Sequence, residues 1–373
     1  MKHRKRKGAC AVLDQILENR KIEEIPRFTK ENWESVRQTY LDVLLREEYG
    51  TPLPAPDSVT FEESPLDYRL FPSFAGKADC RKIIAHTVID GKMFSFPFMA
   101  TIPTKEGKHP FFVFNNFSPS VPDKYFPTEE IIDNGFAVLS LYYQDVTTDN
   151  GDFSNGLAAI VTPEEAQTDL TKRAPTAPGK IAMWAWANMR LLDYAATKES
   201  LDMNNAAVIG HSRLGKTALL TGALDERFRF VIANNAGCSG DAITRQKQGE
   251  HIETISRVFP FWFCENYKKY ADESLLTFDQ HMLVAAVAPR HFLSGAALDD
   301  TWADPESQLL SCFAASAAWE NLGQKGFVAP DRYAEVGEQF SEGNISYHLR
   351  AGLHYLSRED WNIYMDYIKK HLV

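Results

Sequence analysis

The strongest constraint in this 373-residue chain is a rhythm: from residue 111 onward, short apolar runs alternate with helical patterns. Phe111–Phe114, Phe136–Tyr143, Ala206–Ile209, Phe230–Ala233, Phe292–Ala296 and Ser346–Leu349 read as buried strands. Between and after them, Glu129–Asn134, Ile181–Thr197, Leu214–Leu224, Pro305–Leu322 and Asp360–His371 read as helices. Strands that are apolar throughout, each followed by a helix, predict a mainly parallel sheet covered on both faces. Upstream, Lys82–Ile89 and Met93–Ile102 meet at Asp90-Gly91, a hairpin signal that makes the sheet mixed. Residues 144–178 and 238–288 break the rhythm with polar and aromatic loops. Both are expected over the carboxyl ends of the strands, where an open α/β sheet binds its ligand.

The first 80 residues follow another pattern. Residues 29–49 read as an amphipathic helix stopped by Gly50, and residues 51–65 as a Pro-rich extended segment. The expected organisation is therefore residues 1–80 packing on a main domain of residues 81–373. A net charge of −10 argues against a polyanion-binding surface, so no nucleic-acid partner is expected. No run of 18 apolar residues exists, so no membrane partner is expected either. The basic start of the chain is followed only by Ala11-Val12-Leu13 before Asp14, too short for the apolar core of a signal peptide. Gly8-Ala9-Cys10 echoes a lipoprotein site without the apolar run that should precede it. The expectation is a cytoplasmic protein. Five cysteines without a CxxC pair, and no HExxH, predict neither a disulfide framework nor a metal site, and no cofactor is expected.

Within the rhythm, Ala206-Ala207-Val208-Ile209-Gly210-His211-Ser212-Arg213-Leu214-Gly215-Lys216 carries the chemistry. A small-residue strand runs through Gly-x-Ser directly into a helix, the layout of a nucleophile elbow. The second glycine of the strict pattern is one residue late, so Gly210 must supply most of the room. Serine is also among the best helix caps, which is the plainer reading of Ser212. Folds of this class order their groups serine, acid, histidine, with the histidine after the last strand. Of ten histidines, His354 stands there, between the last strand and the last helix, whereas His348 lies within the strand. The acid should follow Phe292–Ala296, where Asp299, Asp300 and Asp304 occur. Asp304 fits a cap for the helix at Pro305, leaving Asp300, which is favoured, and Asp299.

Several blocks, in order, resemble the bacterial glucuronoyl esterases of carbohydrate esterase family 15. They are Leu141–Asp145, Trp184-Ala185-Trp186, Arg190–Tyr194, Gly210–Lys216, Asn234–Cys238, Phe261–Cys264, Asp279–Met282 and Trp302–Pro305. The Gly-x-Ser-Arg-x-Gly-Lys form of the elbow accounts for the displaced glycine. The resemblance implies an α/β-hydrolase-like three-layer sandwich. It implies Ser212 as nucleophile, His354 as base, Asp300 as acid, and Arg213 as an oxyanion donor through its amide and guanidinium. Lys216, Glu250 and Trp302 would contact hydroxyls of a uronate sugar. The family's other acid position falls on Asn235, an amide, and Asn115–Ser118 is shorter and less glycine-rich than the family's loop.

The activity so implied is a serine-dependent carboxylic ester hydrolase acting on a carbohydrate ester, above all a glucuronoyl or 4-O-methyl-glucuronoyl ester. An acetyl-xylan or other small-acyl esterase would share the triad. Asn235 also raises the reading of a catalytically weak sugar-binding homologue. A peptidase of the prolyl-oligopeptidase kind is disfavoured, because the short N-terminal region holds no β-propeller repeat. Residues Phe259, Phe261, Trp262 and Phe263 are read as the core of the second insertion rather than a sugar-facing wall.

Overall fold

A computed structural model describes residues 12–373, so the basic start and Gly8-Ala9-Cys10 lie outside the described residues. The strands are β1 (Ser58–Pro65), β2 (Ala78–Ile89), β3 (Lys92–Pro103), β4 (His109–Asn116), β5 (Ala137–Tyr142), β6 (Leu201–His211), β7 (Phe230–Asn234), β8 (His291–Ala297), β9 (Gln339–Phe340) and β10 (Ile345–Arg350). The helices are α1 (Val12–Asn19), α2 (Trp33–Leu44), α3 (Thr128–Asp133), α4 (Gly156–Val161), α5 (Lys180–Ala195), α6 (Arg213–Leu224), α7 (Ile252–Val258), α8 (His281–Ala285), α9 (Pro305–Asn321) and α10 (Arg358–Lys370).

Among the described residues, the strands form one sheet in the order β1-β2-β3-β5-β4-β6-β7-β8-β10-β9. The block from β5 to β10 is parallel. The β1-β2-β3 edge and the short β9 run antiparallel to their neighbours. Successive side chains of a strand face opposite sides, and the core divides accordingly. Phe111, Val113, Val208 and Val231 join the layer that holds α5, α6 and α9, whereas Phe112, Phe114, Ile209 and Ile232 pack on Trp361, Tyr364 and Ile368 of α10. This is the α/β-hydrolase-like three-layer arrangement. Helix α5 is buried almost all round, as expected for a helix apolar on every face, and even Lys180 at its start is inaccessible. Four cysteines, Cys80, Cys238, Cys264 and Cys312, are buried free thiols.

The helix predicted over 29–49 starts later, at Trp33, after a turn over Thr29–Asn32 in which the Asn32 side chain accepts from the amide of Thr29 (2.7 Å). Its last turn, Leu45–Tyr49, winds as a π-helix up to Gly50. Part of the extended Pro-rich segment becomes β1, paired along β2 from Ser58–Val88 to Pro65–Arg81.

The order β5-β4-β6 places the reversal of strand order at β4, so the carboxyl ends of β4 and β6 lie side by side at a topological switch point. Ser212 follows β6 there. Both insertions hold short elements: α4 within 144–178, α7 and α8 within 238–288.

Candidate active site

At the end of β6 the chain turns through Ser212, at φ 57° and ψ −128°, a region that non-glycine residues rarely occupy. The turn closes because Gly210 lacks a side chain: a Cβ there would lie 2.0 Å from the Leu214 carbonyl oxygen. Gly215, the displaced glycine, brings the helix against the end of β7, since a Cβ there would lie 3.1 Å from Ala236 Cβ and 3.2 Å from the Asn234 oxygen. The Ser212 amide is held by the Asn234 carbonyl (2.9 Å). Ser212 thus heads α6 without a side-chain cap bond. The first amides of a helix have no partner within it, so the Arg213 N–H end of α6 is the donor-rich end that faces the turn.

Asp300 and His354 come together from two loops of the parallel block. Asp300 follows β8 and is 3% exposed, while its neighbour Asp299 is exposed. His354 follows β10, and its Nδ1 lies 2.6 Å from Asp300 Oδ2. The Asp299 amide donates to the Gly352 carbonyl (3.0 Å), which ties the two loops. Burial alone would raise the Asp300 pKa. The hydrogen bond and charge of His354, the amide of Asn235 (2.7 Å to Oδ2) and the Ala303 N–H (3.3 Å) outweigh it, so the carboxyl stays below the usual range. The His354 ring also packs on His211, the residue before Ser212, with centroids 4.5 Å apart. His211 Nδ1 meets Asn234 Oδ1 (2.7 Å), and Asn234 in turn donates to the Tyr364 hydroxyl (3.0 Å). Burial pushes His211 down to about 3, with His354 adding to the effect, so this second ring stays neutral.

His348 is engaged elsewhere: buried, with Nε2 2.7 Å from Asp360 Oδ1 of α10. Asp304 caps α9, accepting from the Ser307 amide.

Lys216, Glu250 and Trp302 also converge. Lys216 is buried on α6, donates to the Ala236 carbonyl (2.5 Å) and lies 3.7 Å from Glu250 Oε2. The Glu250 amide donates to the Trp302 carbonyl (3.0 Å), and Glu250 itself is 6% exposed. Trp302, two residues past Asp300, is 52% exposed. A small cavity behind this loop, lined by Gln248, Thr301, Asp304 and Tyr333 among others, contains neither Ser212 nor His354. Among the described residues, no cluster of three or more metal-ligating side chains occurs.

The insertions hold Arg213. Its guanidinium is paired with Asp149 and lies over the Trp262 ring (4.6 Å to the centroid) and near Phe259 (5.3 Å). Phe259 and Trp262 stack at 3.8 Å. Phe261, Trp262 and Phe263 are buried, as expected of an insertion core, but the Phe259–Trp262 pair is also a platform for the guanidinium. Sequence reasoning missed Asp149, His211 and Asn234. His211 adjoins the serine, and that adjacency was the signal available; for Asp149 there was none beyond its place in an insertion.

Set beside known proteins, the chain matches the family model "Glucuronyl esterase, fungi" over residues 87–323. It is 36% identical over 265 residues to Carbohydrate esterase MZ0003 from an unknown prokaryotic organism, covering 69% of this chain and 59% of that protein. It is 29% identical over 308 residues to the 4-O-methyl-glucuronoyl methylesterase of Schizophyllum commune, covering 80% and 71%. The fold matches a promiscuous carbohydrate esterase family 15 esterase from a marine bacterial metagenome, with TM-score 0.79, 28% identity, and 92% and 94% of the two chains covered. It also matches the glucuronoyl esterase from Solibacter usitatus, with TM-score 0.82, 26% identity, and 93% and 95% covered. The family match spans well over half of the sequence, and the chain belongs to the glucuronyl esterase family.

Proposed function

We propose that this chain is a carboxylic ester hydrolase that cleaves a glucuronoyl ester of a carbohydrate, 4-O-methyl-glucuronoyl esters included, with Ser212 as nucleophile. The observation that carries the reading is the 2.6 Å contact of His354 Nδ1 with the buried Asp300, on a ring that touches the residue before Ser212. An ionised Asp300 keeps the proton on Nδ1 and leaves the Nε2 lone pair free. That lone pair takes the Ser212 Oγ proton as Oγ bonds to the ester carbonyl carbon. The oxyanion accepts from the Arg213 amide and guanidinium, and Asp300 balances the imidazolium. His354 then returns the proton to the departing alkoxide as the ester C–O bond breaks. Water, deprotonated by the same nitrogen, attacks the acyl carbon, and His354 returns that proton to Ser212 Oγ as the C–Oγ bond breaks and the uronic acid is freed. Lys216, Glu250 and Trp302 receive the sugar. Their convergence beside Asp300 supports that role, and the family relatives named for glucuronoyl methylesters support the substrate.

The test is hydrolysis of a benzyl glucuronate ester against an aryl acetate. Ser212→Ala should lower kcat on the glucuronate by about 10⁴–10⁶-fold with folding intact. An unchanged rate would remove the serine mechanism. A clear preference for the acetate would instead favour a small-acyl esterase.

A further inference from the structure

The residue next to the nucleophile is held by groups that lie far from it in sequence. Asp149 comes from the first insertion, and its carboxylate is 7% exposed. One oxygen, Oδ1, accepts from Trp262 Nε1 of the second insertion (2.7 Å). The other, Oδ2, accepts from the Tyr143 hydroxyl (3.0 Å) and from Arg213. Burial, then the charge of Asp149, pushes Tyr143 up to about 12, so its hydroxyl remains a donor.

The backbone around Asp149 is fixed as firmly. Lys180, buried at the start of α5, donates to the carbonyls of Thr148 (2.5 Å) and Asp152 (2.6 Å). Trp184 Nε1 reaches the Thr147 carbonyl (3.3 Å), and Asn155 Oδ1 accepts from the Thr148 amide (3.0 Å). The carboxylate thus hangs from a rigid loop anchored to a core helix. Arg213 is clasped between that carboxylate and the Trp262 face, while its Nε keeps no partner. An arginine side chain is flexible, and a planar fork transmits its hydrogen bonds only when its plane is fixed.

We infer that Asp149 is the positioning residue that fixes the Arg213 guanidinium for oxyanion stabilisation, with Trp262 as both its donor and the surface on which the guanidinium lies. The inference rests on the reading of Arg213 given under the proposed function. It assigns the two insertions a catalytic purpose: they build the rigid seat of one transition-state donor.

The experiment is a double-mutant cycle on glucuronate ester hydrolysis, with thermal unfolding of each variant as control. Arg213→Ala should lower kcat by about 10²-fold or more. Asp149→Asn, nearly isosteric, should lower kcat by about 10–100-fold, as expected of a misplaced donor, with KM changed less than about threefold. In the Arg213→Ala background, Asp149→Asn should cost nothing further, because its whole effect passes through the missing guanidinium. Trp262→Phe keeps the ring and removes the N–H, and should show a smaller loss that also vanishes in that background. A normal rate in Arg213→Ala would overturn both this inference and the reading of Arg213. A lowered rate there with a normal Asp149→Asn would overturn the inference alone. So would full additivity of the two losses, the mark of a merely structural carboxylate. If Asp149→Asn fails to fold, Trp262→Phe in the two backgrounds decides by the same criteria.

Discussion

Two halves meet at Ser212, and they are built differently. On one side, Asp300 and His354 stand in the loops that follow β8 and β10, two adjacent parallel strands in register from Ile345–Phe292 to Arg350–Ala297. The sheet itself brings the acid to the histidine. On the other side, Arg213 is met by Asp149 and Trp262, 64 and 49 positions away, from loops with no place in the sheet. The strand side is fixed by sheet topology, and the insertion side by hydrogen bonds, an ion pair and packing between irregular loops and α5. Chemistry that depends on the first should fail abruptly when a group is removed, and chemistry that depends on the second should degrade by steps.

The sharpest break is expected on the strand side. Asp300→Asn keeps the shape but loses the charge and control of the His354 tautomer, so kcat should fall by about 10⁴-fold. Asp299→Asn should be near normal, because Asp299 is exposed and only its amide takes part in the loop. Steady-state rates with circular dichroism as a folding control decide between them. A large loss in Asp299→Asn with a normal Asp300→Asn would reverse the assignment.

This division also marks what the sequence makes legible. Gly210 and Ser212 are two positions apart, and the elbow they form is a local matter of sterics, so it can be read directly. Asp300 and His354 are far apart, but the order of strands dictates which loops face each other. Asp299 and Asp300 differ only in which way each side chain points after the strand, which the sequence leaves open and the fold decides. Lys216 reads as a solvated helix charge equally well as a buried one, because its burial depends on Ala236 and Glu250 from other loops. Asp149 is one of several acids in a polar stretch, and nothing periodic connects it to Trp262. Packing between irregular segments leaves no pattern along a chain.

A smaller effect is expected at Asn235, which stands between the halves. Its Nδ2 donates to Asp300 (2.7 Å), while its Oδ1 is buried without a partner. An unpaired buried carbonyl costs roughly 1–3 kcal/mol. Its retention makes sense if the donor end serves the acid. Asn235→Ala removes the orphaned oxygen, but it also takes the donor from Asp300 and places alanine at φ 46°, a left-handed conformation that asparagine tolerates better. Stability should therefore fall by about 1–2 kcal/mol, and kcat by about 10–100-fold, the worth of a hydrogen bond to a charged group. Urea unfolding and kcat measured on the same preparation separate the two effects. Loss of stability with an unchanged kcat would make Asn235 a structural amide only.

The smallest effect contrasts two buried carboxylates, one under each half. Beneath the strand side, Asp360 accepts from His348 (2.7 Å), Arg350 (2.9 Å) and the Ser357 amide (2.7 Å), which outweigh its burial and keep its pKa low. Beneath the insertion side, the Glu48 carboxyl accepts from the neutral Gln280 amide (3.0 Å to Oε2, 3.3 Å to Oε1), and its own carbonyl holds the Cys264 amide (2.8 Å). Burial pushes Glu48 up to about 8. Such a carboxyl keeps its proton in the folded state while the unfolded chain gives it up near the ordinary 4.5. Folding stability therefore falls as pH rises between those values, by at most about 1.4 kcal/mol per pH unit. Buried His211 and His291, both pushed down to about 3 by burial, act with the opposite sign, but only below about 6.5, the ordinary histidine value. Lys180, lowered to about 8 by burial, acts above that value. The window from about pH 6.5 to 8 thus isolates Glu48. Unfolding free energy should decline across it in the parent chain and be flatter in Glu48→Gln, whereas Asp360→Asn should lower stability without removing the slope. Equal slopes in the parent chain and Glu48→Gln would show that the insertion side rests on a carboxyl as firmly ionised as its counterpart under the strands.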